Sequence, residues 1–322
     1  MRAIISSSGT PVLNDVPQPS PAQEVLVRVR ANSLNRADLM MLKGASYGGL
    51  GGMGFPLGLE WAGEVVEVGA TVESWRVGDR VMAAGLAAFA EYTIGYARRM
   101  YAIPEGMSFE QAATLPVALQ TMHDAISTNG MLAAGQTVLV QGASSAMGLM
   151  GMQVAKLLRA GTVIGTSMSP ERRARLAEFG ADVVVDTTAP DRVEQVLKAT
   201  GGNGVDLLID FVAGPLMNGN LQATRIGGRM VNVGRMAGDR GEFDFDLHSL
   251  RRITYVGVTF RTRSPEEVEE IVARTTRAFG PALTEGALRL PIDKIYRFEE
   301  ASEAFERMAR NQHFGKIILT NV

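Results

Sequence analysis

The chain has 322 residues, 46% hydrophobic and 20% charged, enough for about two globular domains with their own cores. A formal net charge of -2, with no basic stripe interleaved with aromatics, excludes the footprint of a nucleic-acid binder. The lack of cysteine excludes disulfides, thiolate metal sites and cysteine nucleophiles.

No run approaches the ~20 apolar residues of a membrane span. The opening "MRAIISSSGTPVL" is too short in apolar length for a signal peptide. The expectation is a cytoplasmic protein with neither membrane nor nucleic-acid partners. The 17 methionines are scattered and read as pliable packing rather than a metal-binding set.

Residues 1 to about 115 hold short alternating strands broken by Gly and Pro: "EVLVRVRANSL", "WAGEVVEVG", "DRVMAA" and "FAEYTIG". This pattern predicts a partly open β-barrel. From about residue 117 the period switches. "QTVLVQG" reads as a fully apolar strand and "MGLMGMQVAKLLRAG" as a helix with a glycine cap. "TVIGTSM" follows as a strand, and "SPERRARLAEFGA" as a helix with Ser169 at its N-cap and Pro170 at its first position. "DVVVDTT", "VDLLIDFVAG", "GGRMVNVG" and "ITYVGVTF" continue the alternation of strand and helix. Such alternation predicts parallel βαβ units and a doubly wound sheet. After Arg261 come the helix "SPEEVEEIVARTTRAFG", the strand region "GALRLPIDKIYRF", the helix "EEASEAFERMARN" and the strand "GKIILTNV". The boundaries expected are a discontinuous domain over 1–116 and 260–322, with a dinucleotide-binding domain inserted over 117–259.

Between the first apolar strand of the insert and its helix lies "QGASSAMG". Small residues at Gly142, Ser144, Ser145, Ala146 and Gly148, with Met147 between, let the backbone approach a pyrophosphate at a helix N-terminus. The alternative is a tight structural turn. An NAD site ends its second strand with an acidic residue. Here "VIGTSMSPERR" offers Ser167, Ser169, Arg172 and Arg173, with no carboxylate before Glu171. Hydroxyls and a guanidinium suit a 2′-phosphate, hence NADPH; the alternative is a basic solvated helix face.

With these motifs, "NRADLMMLKG", "LGLEWAGEVVEVG", "AATLPVALQTMHDAI" and "NQHFGKIIL", the whole chain resembles the medium-chain dehydrogenase/reductase superfamily, in its zinc-independent quinone oxidoreductase and enone reductase branch. The resemblance implies an α/β architecture: a GroES-like partly open β-barrel catalytic domain with an inserted Rossmann-type doubly wound parallel-sheet domain. Zinc members carry Gly-His-Glu where this chain has Gly58, Leu59 and Glu60. Their first cysteine ligand falls on Asn35 and their third ligand near Pro116. Leu, Asn and Pro cannot hold zinc, so no metal is expected.

The resemblance also implies site residues. Asn35 faces the nicotinamide and substrate, the alternative being a turn residue before the "RADLM" helix; Thr121 and Gly234 border the nicotinamide. Asn311 and Lys316 belong to a segment that reaches the cofactor, the alternative for the lysine being a solvated surface charge; Arg261, with Arg263, shapes the domain interface or the cofactor cleft. Tyr47 is the candidate proton donor or carbonyl anchor; the alternative is an exposed loop aromatic. Asp38 reads as a helix-start residue, and Glu60 as an anchor paired with a cation or backbone N–H groups. The function implied is NADPH-dependent hydride transfer to a quinone or an α,β-unsaturated carbonyl. The rival is a non-catalytic NADPH-binding member of the superfamily. A homodimer is expected from family analogy, pairing through the edge strand "ITYVGVTF".

Overall fold

Ser8 and Gly9 both adopt positive φ, 49° and 79°, the backbone of a tight two-residue hairpin turn. They join β1 (Arg2–Ser7) to β2 (Thr10–Asp15) in an antiparallel pair. The structure, a computed structural model, describes residues 1–45 and 54–321. Those residues divide into two compact units, one of 1–120 with 260–322 and one of 121–259.

In the first unit, β3 (Val25–Ser33) leads into the short helix α1 (Arg36–Leu42). β4 (Glu60–Val68), β5 (Arg80–Ala84), β6 (Tyr92–Gly95) and β7 (Met100–Ala102) follow, then the helices α2 (Phe109–Ala112) and α3 (Pro116–Met122). Alternating residues of β3 and β4 turn Val27, Val29, Trp61 and Val65 into one core.

The second unit begins within α3. Its helix winds on as a π-helical stretch from His123 to Asn129. Then come β8 (Thr137–Gln141), α4 (Ala146–Leu157), β9 (Thr162–Ser167), α5 (Pro170–Arg173), β10 (Val183–Asp186) and α6 (Arg192–Ala199). The series closes with β11 (Val205–Asp210), α7 (Met217–Ala223), β12 (Thr224–Asn232), α8 (Phe245–Arg251) and β13 (Thr254–Gly257). The strands are all parallel, in the order β10-β9-β8-β11-β12-β13. β8, β9 and β11 are buried along nearly their whole length, as strands covered on both faces must be.

The chain returns to the first unit through α9 (Pro265–Thr284), β14 (Ile292–Arg297), α10 (Ala301–Ala309) and β15 (Lys316–Thr320). The sheet there runs β14-β15-β3-β4-β5-β7, with β6 also on β3. β15 meets β3 at its C-terminal end, Ile318 opposite Ser33, which sets the start of β15 beside the start of α1.

Three helices differ from the sequence reading. α4 does not end on a glycine: Arg159 takes the left-handed turn at φ 62°, and Ala160 N donates to Ala155 O at 2.9 Å. The "SPERRARLAEFGA" helix breaks after one turn; a second, tighter turn over 176–179 stops at Gly180, φ 97°. α9 runs past Gly280 and Pro281, because Phe279, Ala282 and Leu283 stay buried on one face. Its left-handed stop is Gly286.

Candidate functional site

The parallel sheet reverses direction of growth at β8. β9 and β10 lie on one side of it, and the chain then crosses to β11 on the other. Outside the carboxyl ends of β8 and β11 is where such sheets bind ligands. The segment there is the loop 142–145. Gly142 has φ 80°, and a Cβ on it would press to 3.2 Å from Val212 Cγ2. A Cβ on Gly148 would stand 2.5 Å from Ala143 Cα, so the helix packs on the loop only because that residue is glycine. Ser145 caps α4: its Oγ accepts from Gly148 N at 3.1 Å and donates to Gly142 O at 2.9 Å. The backbone N–H groups of Ala146 and Met147 are left as first-turn donors with no partner inside the helix. Small residues, a positive-φ glycine and these donors at the positive end of a 12-residue helix fit a pyrophosphate.

Ser167 closes β9. Its Oγ donates to Ser144 Oγ at 2.9 Å, tying the strand end to the loop. Ser169 Oγ accepts from Arg172 N and starts α5. Of the two arginines, Arg173 is engaged: it donates to Ser167 O at 2.9 Å and pairs with Asp186 at 3.0 Å. Hydrogen bonds from Thr188 and the Arg173 guanidinium hold the Asp186 carboxyl below its usual range. Arg172, half-buried on the same turn, is the guanidinium the sequence reading assigned to the cofactor.

One contributor escaped the sequence reading. Asp210, wholly buried at the end of β11, accepts from Val212 N at 2.8 Å, Ala213 N at 2.9 Å and Asn220 Nδ2 at 3.2 Å. Burial pushes its carboxyl up, against the lowering effect of those donors. It holds Ala213 at φ 57° and ψ −147°, a conformation rare outside glycine. This turn meets the Gly142 loop, and Gly234 packs so closely on it that a Cβ would lie 2.7 Å from Phe211 O. The sequence signal was the Asp-x-x-x-Gly ending of "VDLLIDFVAG", two residue types suited to a capped turn. Thr121 is buried in α3.

In the first unit, a charged cluster is closed off from solvent. Lys316 is 2% exposed and Glu60 0%. The Lys316 ammonium donates to Glu60 Oε2 at 2.5 Å, Asn35 Oδ1 at 2.9 Å and Ser33 Oγ at 3.2 Å. Glu60 also accepts from Ser33 Oγ, from Asn35 Nδ2 at 3.2 Å and, through Oε1, from Val117 N at 2.7 Å. Both kinds of partner expected for Glu60 are therefore present. Beside it, Asp38 Oδ2 accepts from Asn35 N at 2.6 Å and starts α1. Burial lifts the Asp38 carboxyl to about 7.

The structure gives two of the assigned residues a definite geometry here. The three ammonium protons of Lys316 are donated inside the cluster. Asn35 turns its amide protons to Ser33 O and Glu60 Oε2, so toward a ligand it offers a lone pair of Oδ1 rather than a donor. Asn311 takes φ 54° beyond α10 and accepts from Arg36 at 3.1 Å. Arg261 is exposed ahead of α9. Tyr47 lies outside the described residues.

Residues 21–116 match the family described as alcohol dehydrogenase GroES-like domain, and residues 146–277 the zinc-binding dehydrogenase family. A quinone oxidoreductase-like protein 2 of Bos taurus is 29% identical over 305 residues, covering 94% of this chain and 87% of that protein. A mycocerosic acid synthase-like polyketide synthase of Mycolicibacterium smegmatis is 30% identical over 94% of this chain, which spans 14% of that much longer protein. A solved quinone oxidoreductase of Pseudomonas syringae pv. Tomato DC3000 superposes with a TM-score of 0.86 at 25% identity, over 99% of this chain and 100% of that one. The zinc that the second family's description implies does not fit. Its ligand positions hold Asn35, Leu59 and the neighbourhood of Pro116, and Leu59 is packed in the apolar core. Among the described residues, no group of three or more His, Asp or Glu side chains is set to hold a metal ion.

Proposed function

The chain belongs to the medium-chain dehydrogenase/reductase superfamily, and from that premise we propose that it is an NADPH-dependent, zinc-independent reductase of quinones or α,β-unsaturated carbonyl compounds. The observation that carries the reading is the loop 142–148 at the reversal point of the parallel sheet, with a positive-φ glycine and free first-turn donors. Gly142, Ser144, Ser145, Ala146, Met147 and Gly148 would hold the pyrophosphate. Ser167, Ser169 and Arg172 would take the 2′-phosphate by charge-assisted hydrogen bonds. Thr121, Gly234 and the Asp210-capped turn would border the nicotinamide, and Arg261 and Asn311 the rest of the cofactor. When bound, the nicotinamide supplies a hydride.

The residues of this chain then bind and orient. A quinone or conjugated enone delocalises the incoming electron pair, so hydrogen-bond donors suffice and no strong Lewis acid is needed. Tyr47 is our candidate for that donor. Asn35, with its amide protons turned inward, would accept from a ribose hydroxyl or the carboxamide N–H. The quinone oxidoreductase-like relative and the Pseudomonas syringae quinone oxidoreductase support the acceptor class. A homodimer through the β13 edge belongs to the same proposal: β13 is an outer strand, and Tyr255 and Phe245 beside it are 40% and 76% exposed.

The test is cofactor oxidation in chelator-treated protein, with NADPH offered against a panel of quinones and conjugated enones. Turnover of at least one acceptor is expected. Tight NADPH binding with no turnover of any acceptor would leave a cofactor-binding protein instead.

A further inference from the structure

Burying an ammonium is costly unless every donor finds an acceptor. Lys316 meets that condition: three donors face three acceptors, on Glu60, Asn35 and Ser33. We infer that the Lys316 ammonium is a built-in cation for Glu60, and that this closed set of partners bars a divalent ion from the site, so the zinc that the family description implies finds no place there.

The positions at which the resemblance places zinc ligands, Asn35, Leu59 and the neighbourhood of Pro116, adjoin the pair. Asn35 touches the ammonium directly. Leu59 immediately precedes Glu60. Val117, next to Pro116, donates its N–H to Glu60 Oε1. Glu60 is heavily engaged: Oε2 receives three donors and Oε1 a fourth. A metal would have to displace the ammonium, and then find one carboxylate, an amide oxygen and a hydroxyl in its place, with no imidazole or thiolate.

The backbone is built to deliver the lysine. Gly315 has φ 89°, and a Cβ there would collide with the Pro291 carbonyl, which accepts from Lys316 N at 2.9 Å. The glycine lets β15 begin hard against this segment. The register of β15 on β3, Ile318 opposite Ser33, then aims residue 316 at the Ser33 hydroxyl and Glu60.

The inference does not depend on turnover, so it stands or falls apart from the reductase reading. The test uses the full chain as wild type, Lys316→Met, Glu60→Gln and the double variant. Each is incubated with zinc chloride, freed of excess metal by gel filtration, assayed for bound zinc and unfolded by heat. Wild type is expected to retain no stoichiometric zinc. Each single variant leaves one buried charge unpaired and should unfold about 5–10 °C lower. The double variant should regain most of that loss. If a single variant does not fold, recovery of folding in the double variant carries the same result. One zinc retained per wild-type chain would overturn the inference. So would Lys316→Met unfolding at the wild-type midpoint, or a double variant no more stable than the singles.

Discussion

Asp38 shows how one buried carboxyl couples this fold to pH. Burial lifts its pKa to about 7, opposed by the Asn35 N–H and the Lys316 ammonium and assisted by the nearby Glu60 charge. An unfolded aspartate loses its proton near pH ~3.9. Between those values folding takes up a proton, so the contribution from Asp38 is complete below the unfolded pKa and is lost as the pH rises to about 7. Asp38→Asn should therefore flatten the fall in urea midpoint across that window; an unchanged slope would remove Asp38 as its source. Cofactor choice is a second residue-scale matter. Arg173 is committed to Ser167 O and Asp186, and Arg172 is the guanidinium proposed for a 2′-phosphate. Arg172→Ala should weaken NADPH binding about 10-fold and leave NADH unchanged. Equal losses for both cofactors, measured by fluorescence titration, would make Arg172 a structural residue. Lys316 is the residue whose partners were least legible in the sequence. A lysine after glycine near the C-terminus looks like a solvated or ligand-facing charge. Its partner Glu60 is 256 residues away in sequence, and only the pairing of β15 with β3 brings them together.

At the scale of elements, local chemistry was most legible where it was self-contained. Ser264, Pro265 and Glu267 mark the start of α9, and the structure forms that capping box there. Ser264→Ala should cost about 1 kcal/mol in chemical denaturation. The strands β8, β9 and β11 were equally plain, because burial on both faces requires continuous apolar runs. Helix ends were less legible. Arg159 occupies a left-handed position that normally takes glycine, since the closing bonds of Arg159 N to Lys156 O and Ala160 N to Ala155 O outweigh its strain. Arg159→Gly should accordingly stabilise the protein by roughly 1 kcal/mol, and a loss of stability would show that the arginine side chain contributes more than the backbone costs. The capped turn after β11 was missed for a related reason. A buried Asp at a strand end reads as a loop residue until its three N–H donors are seen.

For the whole molecule, the two-part architecture was readable from the switch of hydrophobic period near residue 117 and its reversal after Arg261. The pairing of distant strands was not, because β15 and β3 carry similar apolar runs and sequence does not say which edges join. Among the described residues no helix is long and apolar enough to cross a membrane. The outer strand β13, with Phe243, Phe245 and Tyr255 clustered near it, is the surface proposed for self-association. Tyr255→Lys combined with Phe245→Glu should convert a dimer to a monomer in sedimentation velocity, and an unchanged sedimentation coefficient would move the interface elsewhere. The central claim is hydride transfer to a conjugated acceptor without a metal. It is tested most directly by turning over an enone with NADPH carrying deuterium at both C4 positions, in chelator-treated protein of measured zinc content. The expected result is one deuterium on the β-carbon of the product for each NADPH consumed, at a rate independent of residual zinc. A product without deuterium, or a rate that rises and falls with zinc, would contradict it.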